Sequence, residues 1–99
     1  MYNIVTSPLV NNTYLQNIEF LEIRYTKKEV VNFITKVSDI VTILKVSPKT
    51  FKKWEKDTNI HKIEIVKQIT LYYQIKTKNV ELLLFFNNLQ DLNKLTKLL

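Results

Sequence analysis

The segment Val-Ser-Asp-Ile-Val-Thr-Ile-Leu-Lys-Val-Ser-Pro-Lys-Thr-Phe-Lys-Lys-Trp-Glu-Lys, residues 37–56, decides how the chain is read. Ser38 followed by Asp39 has the form of a helix N-cap with an acid in the first turn, which predicts a short helix from Asp39 to Leu44. Ser47-Pro48 has the form of a second start, a capping hydroxyl followed by a residue with no amide to leave unpaired. The second helix then carries Lys49 to Lys56. Ile40 and Leu44 share one face, Val46 sits in the turn, and Phe51 and Trp54 share the inner face of the second helix. Outward stand Lys49, Thr50, Lys52, Lys53 and Lys56. A helix that is apolar inside, cationic outside and polar at its start suits the major groove of DNA, where lysines neutralise phosphates and short polar side chains reach base edges.

Residues 40–55 resemble the helix-turn-helix of MerR-type regulators and of phage or transposon excisionases, whose motif runs roughly Ile-Ala-x-x-Leu-Gly-Val-Ser-Pro-x-Thr-Leu-x-x-Trp/Tyr-Glu. Val41 and Lys45 stand where that motif has alanine and glycine. The resemblance implies double-stranded DNA as partner, with Ser47, Lys49, Thr50, Lys52, Lys53 and Lys56 as the contact residues of helix 47–56. It implies a small transcriptional regulator or an excisionase-like factor. The alternative is a protein-interaction module of a mobile element or virus that binds a host or self partner through its C-terminal helix.

Upstream of this segment, Thr26 and Glu29 are spaced as a capping box, so a first helix is expected from Lys27 to about Lys36, burying Val30, Phe33, Ile34 and Val37. Tyr14 to Tyr25 has Leu15, Ile18, Leu21 and Tyr25 at helical spacing, although a strand also fits part of it. The first thirteen residues are turn-rich at Ser7-Pro8 and Asn11-Asn12-Thr13, and read as a flexible arm or a short edge strand at Tyr2–Val5. Beyond Trp54, Asp57-Thr58-Asn59 reads as a stop. Residues 60–76 are rich in β-branched and aromatic side chains. They predict a two-stranded wing at about 62–75 turning near Lys67-Gln68, with Lys62, Lys67, Lys76 and Lys78 toward phosphates; a helix through Ile60, Ile63, Lys67, Thr70 and Tyr73 is the competing assignment. Residues 78–99 place Leu82, Phe85, Leu89, Leu92, Leu95 or Thr96, and Leu99 at intervals of three and four, which predicts an amphipathic helix able to close the core or to pair with a second copy as a homodimer.

The fold expected is therefore mainly α, a single domain over 1–99 with a helix-turn-helix core at 27–59, an optional wing and a C-terminal helix. Composition excludes several function classes. The 99 residues contain no cysteine and no glycine, and one histidine, His61, so no thiolate metal site, multi-histidine site or glycine-rich phosphate loop can form within the chain. The carboxylates show no paired spacing for acid–base work, His61 reads as a surface or capping residue, and neither an enzyme nor a cofactor is expected. Net charge is +6, from fourteen lysines, one arginine (Arg24) and nine acids, and the lysines cluster between Lys45 and Lys62. Such a local field attracts polyanions. No apolar run approaches the roughly 18–20 residues of a membrane span, and no leader pattern opens the chain, so a cytoplasmic setting is expected.

Overall fold

A computed structural model describes all residues, Met1–Leu99. The chain runs β1 (Asn3–Val5), α1 (Pro8–Arg24), α2 (Lys27–Val46), β2 (Lys53–Trp54), β3 (Asp57–Val66), β4 (Ile69–Lys76), β5 (Asn79–Asn87) and α3 (Leu92–Leu98). Five strands form one mixed sheet in the order β1-β5-β4-β3-β2, with β1 parallel to β5 and the other pairs antiparallel. This is an α/β architecture, which corrects the mainly α expectation.

Residues 37–56 contain no helix-turn-helix. Val30, Phe33, Val37, Ile40, Val41 and Leu44 form one uninterrupted apolar stripe that passes through Ser38-Asp39 and packs on the sheet, so the two expected helices are the single helix α2. Burial of that stripe outweighs the capping preference of Ser38, which stays exposed within the helix, its carbonyl accepting the Thr42 hydroxyl at 3.1 Å. Thr26 does start α2: the Glu29 carboxylate accepts both the Thr26 amide, at 3.1 Å, and the Thr26 hydroxyl. These bonds hold the Glu29 carboxyl below its ordinary pKa.

Ser47-Pro48 ends a helix instead of starting one. The Ser47 amide closes α2 on the Ile43 carbonyl at 2.7 Å, and proline disfavours helix in the residue before it. Ser7-Pro8 is the pair that starts one, the Ser7 hydroxyl accepting from the Val10 amide at 3.3 Å with Pro8 in the first turn. The residues downstream of each pair account for the difference. After Pro8 the apolar residues keep helical spacing along α1. After Pro48 the two large ones diverge, Phe51 packing on the helical side of the sheet and Trp54 on the other.

Both faces of the sheet are covered. Val10, Leu21, Phe33 and Leu44 of the helices meet Leu71, Tyr73, Val80 and Phe85 on one face. On the opposite face Leu95 of α3 packs over Trp54, Ile60, Tyr72, Leu84 and Phe86. Ile69 to Tyr73 in β4 are consequently buried without alternation. The same double burial explains why residues 78–99 do not form one helix. A register shift in β5 opposite Tyr72/Tyr73 lets Leu82 and Phe85, three apart, reach the same helical-side core, so bulged strand spacing imitates helical spacing. Only Leu92–Leu98 is helical there, and the expected twenty-residue stripe for pairing does not exist.

The hairpin expected near Lys67-Gln68 lies between β3 and β4. It lacks glycine, and Asn88 stabilises it from outside: its amide donates to the Gln68 carbonyl at 2.7 Å and its side chain to the Lys67 carbonyl at 3.1 Å. The β4–β5 turn uses Thr77 at φ 52°, the one residue in the left-handed region. Tyr2 to Val5 is an edge strand and not a free arm. The Tyr2 amide bonds the Lys45 carbonyl at the end of α2, and β1 pairs with Asn79–Glu81.

Candidate functional site

The residues expected to read DNA do not share a helix. Ser47 caps the end of α2 and accepts the Thr50 hydroxyl at 2.7 Å in a tight turn. Lys49 and Lys53 open toward a recess beside His61, whereas Thr50, Lys52 and Lys56 also line or approach a larger groove on the α3 side of the sheet. That groove has a volume of about 800 Å³ and runs between α3, the β3–β4 hairpin and the segment around β2. Trp54 and Tyr72 form an aromatic wall, their rings edge to face at 5.4 Å and 71°. Four lysines, Lys52, Lys56, Lys62 and Lys67, line it against two carboxylates, Glu55 and Glu64.

Strand alternation aims these groups. Lys62 and Glu64 alternate with Ile63 and Ile65 along β3, so the charged pair faces the groove while the isoleucines enter the helical-side core. Lys62 is partly shielded and pairs with Glu55 at 3.1 Å. The Glu55 backbone amide and the Lys62 ammonium hold the Glu55 carboxyl below its usual range. Burial pushes the Tyr72 hydroxyl up, and the Glu55 charge adds to it. The floor is stiffened where the Thr70 hydroxyl donates to the Asn88 side chain at 3.0 Å.

The loop that supplies Lys49, Thr50 and Lys52 is pinned twice from the opposite face. The Tyr73 hydroxyl, fully buried, donates to the Pro48 carbonyl at 2.8 Å. His61 Nδ1 lies 2.9 Å from the Phe51 carbonyl, an acceptor only, which assigns the proton to Nδ1. His61 is buried and stacked on Tyr73 at 5.2 Å, so it is a structural residue of the core and not a surface or capping one. Nowhere do three His, Cys, Asp or Glu residues converge as a metal site would require. No helix is long and apolar enough to cross a membrane.

Sequence reasoning found Lys62 and Lys67 as exposed cations of a hairpin. It missed the aromatic wall and Asn88. Period-two alternation of Lys62, Glu64 and Ile63, Ile65 was the available signal for which face of β3 the charges would take.

No family model matches the chain, and no curated protein matches it. Solved structures do. A chain of the chromosomal ParDE TA system from P. aeruginosa superposes with TM-score 0.70 at 8% identity, covering 88% of this chain and 96% of that one. The YoeB dimer from Staphylococcus aureus gives 0.56 at 13% identity over 82% and 90%, and the YoeB–YefM complex from the same organism 0.56 at 12% over 86% and 94%. At such identities the likeness is one of fold. That fold is not the helix-turn-helix of a MerR-type regulator or excisionase, and the DNA-binding, transcription-regulating role expected from residues 37–56 is withdrawn with it.

Proposed function

We propose that this chain is the toxin-type member of a toxin–antitoxin pair, disabling a target in the cytoplasm by binding it rather than by catalysis, and itself neutralised by a partner protein. The observation that carries the proposal is the shared fold, which spans more than four-fifths of the chain and nearly the whole of the TA-system chains it resembles. The lysine-lined groove supports a binding role. Its cations outnumber its acids two to one and surround an aromatic wall, so it favours a target surface that is anionic and partly apolar. The absence of catalysis is supported by the side-chain inventory of the groove. It holds lysines but neither histidine nor arginine, and one of its two carboxylates is paired with Lys62.

The test is inducible expression in a bacterial host. Growth should stop on induction and recover when a neutralising partner, sought as the product of the adjoining reading frame, is co-expressed. Unimpaired growth of cells accumulating the folded chain would refute the proposal. Incubation of the purified chain with RNA and DNA is expected to leave both intact; cleavage would replace binding with catalysis.

A further inference from the structure

The His61 ring belongs to the core, yet one of its atoms stays open. Lys53, His61 and Tyr73 stand opposite one another across β2, β3 and β4, so their side chains share the helical face of the sheet. The ring is stacked on Tyr73, and its Nδ1 proton goes to the Phe51 carbonyl. The residue is only 7% exposed, but Nε2 has no hydrogen-bond partner and still reaches solvent. Nε2 therefore presents a lone pair to the recess that His61 lines.

That recess has a volume of about 700 Å³ and no acid in its walls. Lys49 and Lys52 reach it from the loop after α2, Lys53 from β2 and Asn59 from β3, while Phe51 and Ile75 form its apolar part. The neighbouring carboxylates are turned elsewhere. Glu55 pairs with Lys62 at 3.1 Å in the groove, and Asp57 accepts the Asn59 backbone amide at 3.0 Å and lines a separate recess beside Ile60. Lys52 is shared with the groove, whereas Lys49 and Lys53 are not. The ammonium groups attract any anion, but the Nε2 lone pair repels an oxygen that has no proton to share.

We infer that this recess binds a small phosphate monoester, its phosphate between Nε2 and the lysines and its organic part against Phe51 and Ile75. A phosphate monoester gives up its second proton near pH 6, so close to neutrality one proton is available between a phosphate oxygen and Nε2. Whichever atom holds it, the resulting hydrogen bond is charge-assisted. Lys49, Lys52 and Lys53 then neutralise the other oxygens. The volume lies within the range of about 300–1,000 Å³ usual for small-molecule sites. The site is distinct from the groove and does not depend on the toxin reading.

The probe is phenyl phosphate, titrated into the ¹⁵N-labelled full chain at low salt and neutral pH. The His61 Nε2 resonance should move upfield as its lone pair is engaged, and amide shifts should centre on residues 49–53 and 58–61. Phenyl sulfate, with one charge and no proton to share, should bind about tenfold more weakly or worse. Inorganic phosphate, which has no ring to lay on Phe51 and Ile75, should also bind more weakly. A K49Q/K53Q variant should lose about tenfold in affinity for phenyl phosphate; both lysines are exposed, so the fold is expected to survive the change. An Nε2 resonance that stays in place at millimolar phenyl phosphate would overturn the inference, as would equal affinity for phenyl sulfate or inorganic phosphate, undiminished binding by the variant, or shifts centred on Trp54 and Tyr72 in the groove.

Discussion

Replacing Tyr73 by phenylalanine tests the anchor of the lysine-bearing loop. The Tyr73 hydroxyl is buried on the helical face and donates to the Pro48 carbonyl at 2.8 Å, so Tyr73→Phe leaves that carbonyl without its donor. Loss of one partner of a buried hydrogen bond should destabilise the protein by about 1–3 kcal/mol at neutral pH. Burial also pushes the Tyr73 hydroxyl up to about 12 from 10.0. Between those values the unfolded chain has lost the proton that the native hydroxyl keeps, so the native state binds more protons and its stability falls as pH rises. The slope is about 1.4 kcal/mol per pH unit, or about 2–3 kcal/mol across the window. The variant lacks this limb. Urea unfolding followed by circular dichroism from pH 8 to 12 should therefore show two curves separated near neutrality and converging toward pH 12. Lysine titration and the raised hydroxyls of Tyr14 and Tyr72 are common to both proteins and cancel in the difference. Hydrogen exchange should also quicken across residues 47–52 in the variant. Curves that stay parallel to pH 12 would refute the assignment of Tyr73 as the buried, proton-retaining anchor.

Thr77→Gly should stabilise the β4–β5 turn. It relieves about 1–2 kcal/mol of left-handed strain at φ 52° and gives back about 0.5–1 kcal/mol in unfolded-state freedom, a net gain of roughly 0.5–1 kcal/mol readable as a higher melting temperature. Leu95→Ala removes the one buried side chain of α3 and should cost about 2–3 kcal/mol, with Trp54 fluorescence shifting to the red as the helix detaches. A melting temperature and emission maximum equal to those of the parent would show that α3 does not cover the aromatic wall. Exchanging Lys52, Lys56 and Lys67 for glutamine together should relieve growth arrest with little change in melting temperature, since all three are exposed; arrest at full strength would remove the groove from the mechanism.

Local signals were legible where one residue's chemistry decides the backbone. The Thr26–Glu29 box starts α2, the β-branched run after Ile60 forms a hairpin turning at Lys67-Gln68, and Tyr2–Val5 lies at a sheet edge. The candidate site was legible only as a clustering of charge between residues 45 and 62. Its shape was not, because the groove is made by β2, β3, β4 and α3 together, and Tyr72 and Asn88 join it from residues with no motif of their own.

Residue identity and short-range geometry were enough to set the start of α2 at Thr26, the positive field between Lys45 and Lys62 and the absence of cysteine, glycine-loop and multi-histidine chemistry. The choice between a helix-turn-helix and a sheet was made by tertiary packing. Ser7-Pro8 and Ser47-Pro48 are the same dipeptide, and Val80 to Phe86 carries enough apolar side chains to serve as helix or as strand. In each case the outcome depends on which surfaces are there to be covered: one helical stripe over α2, and two apolar faces of a sheet that must both be buried. That requirement belongs to the whole chain, and no window of twenty residues contains it.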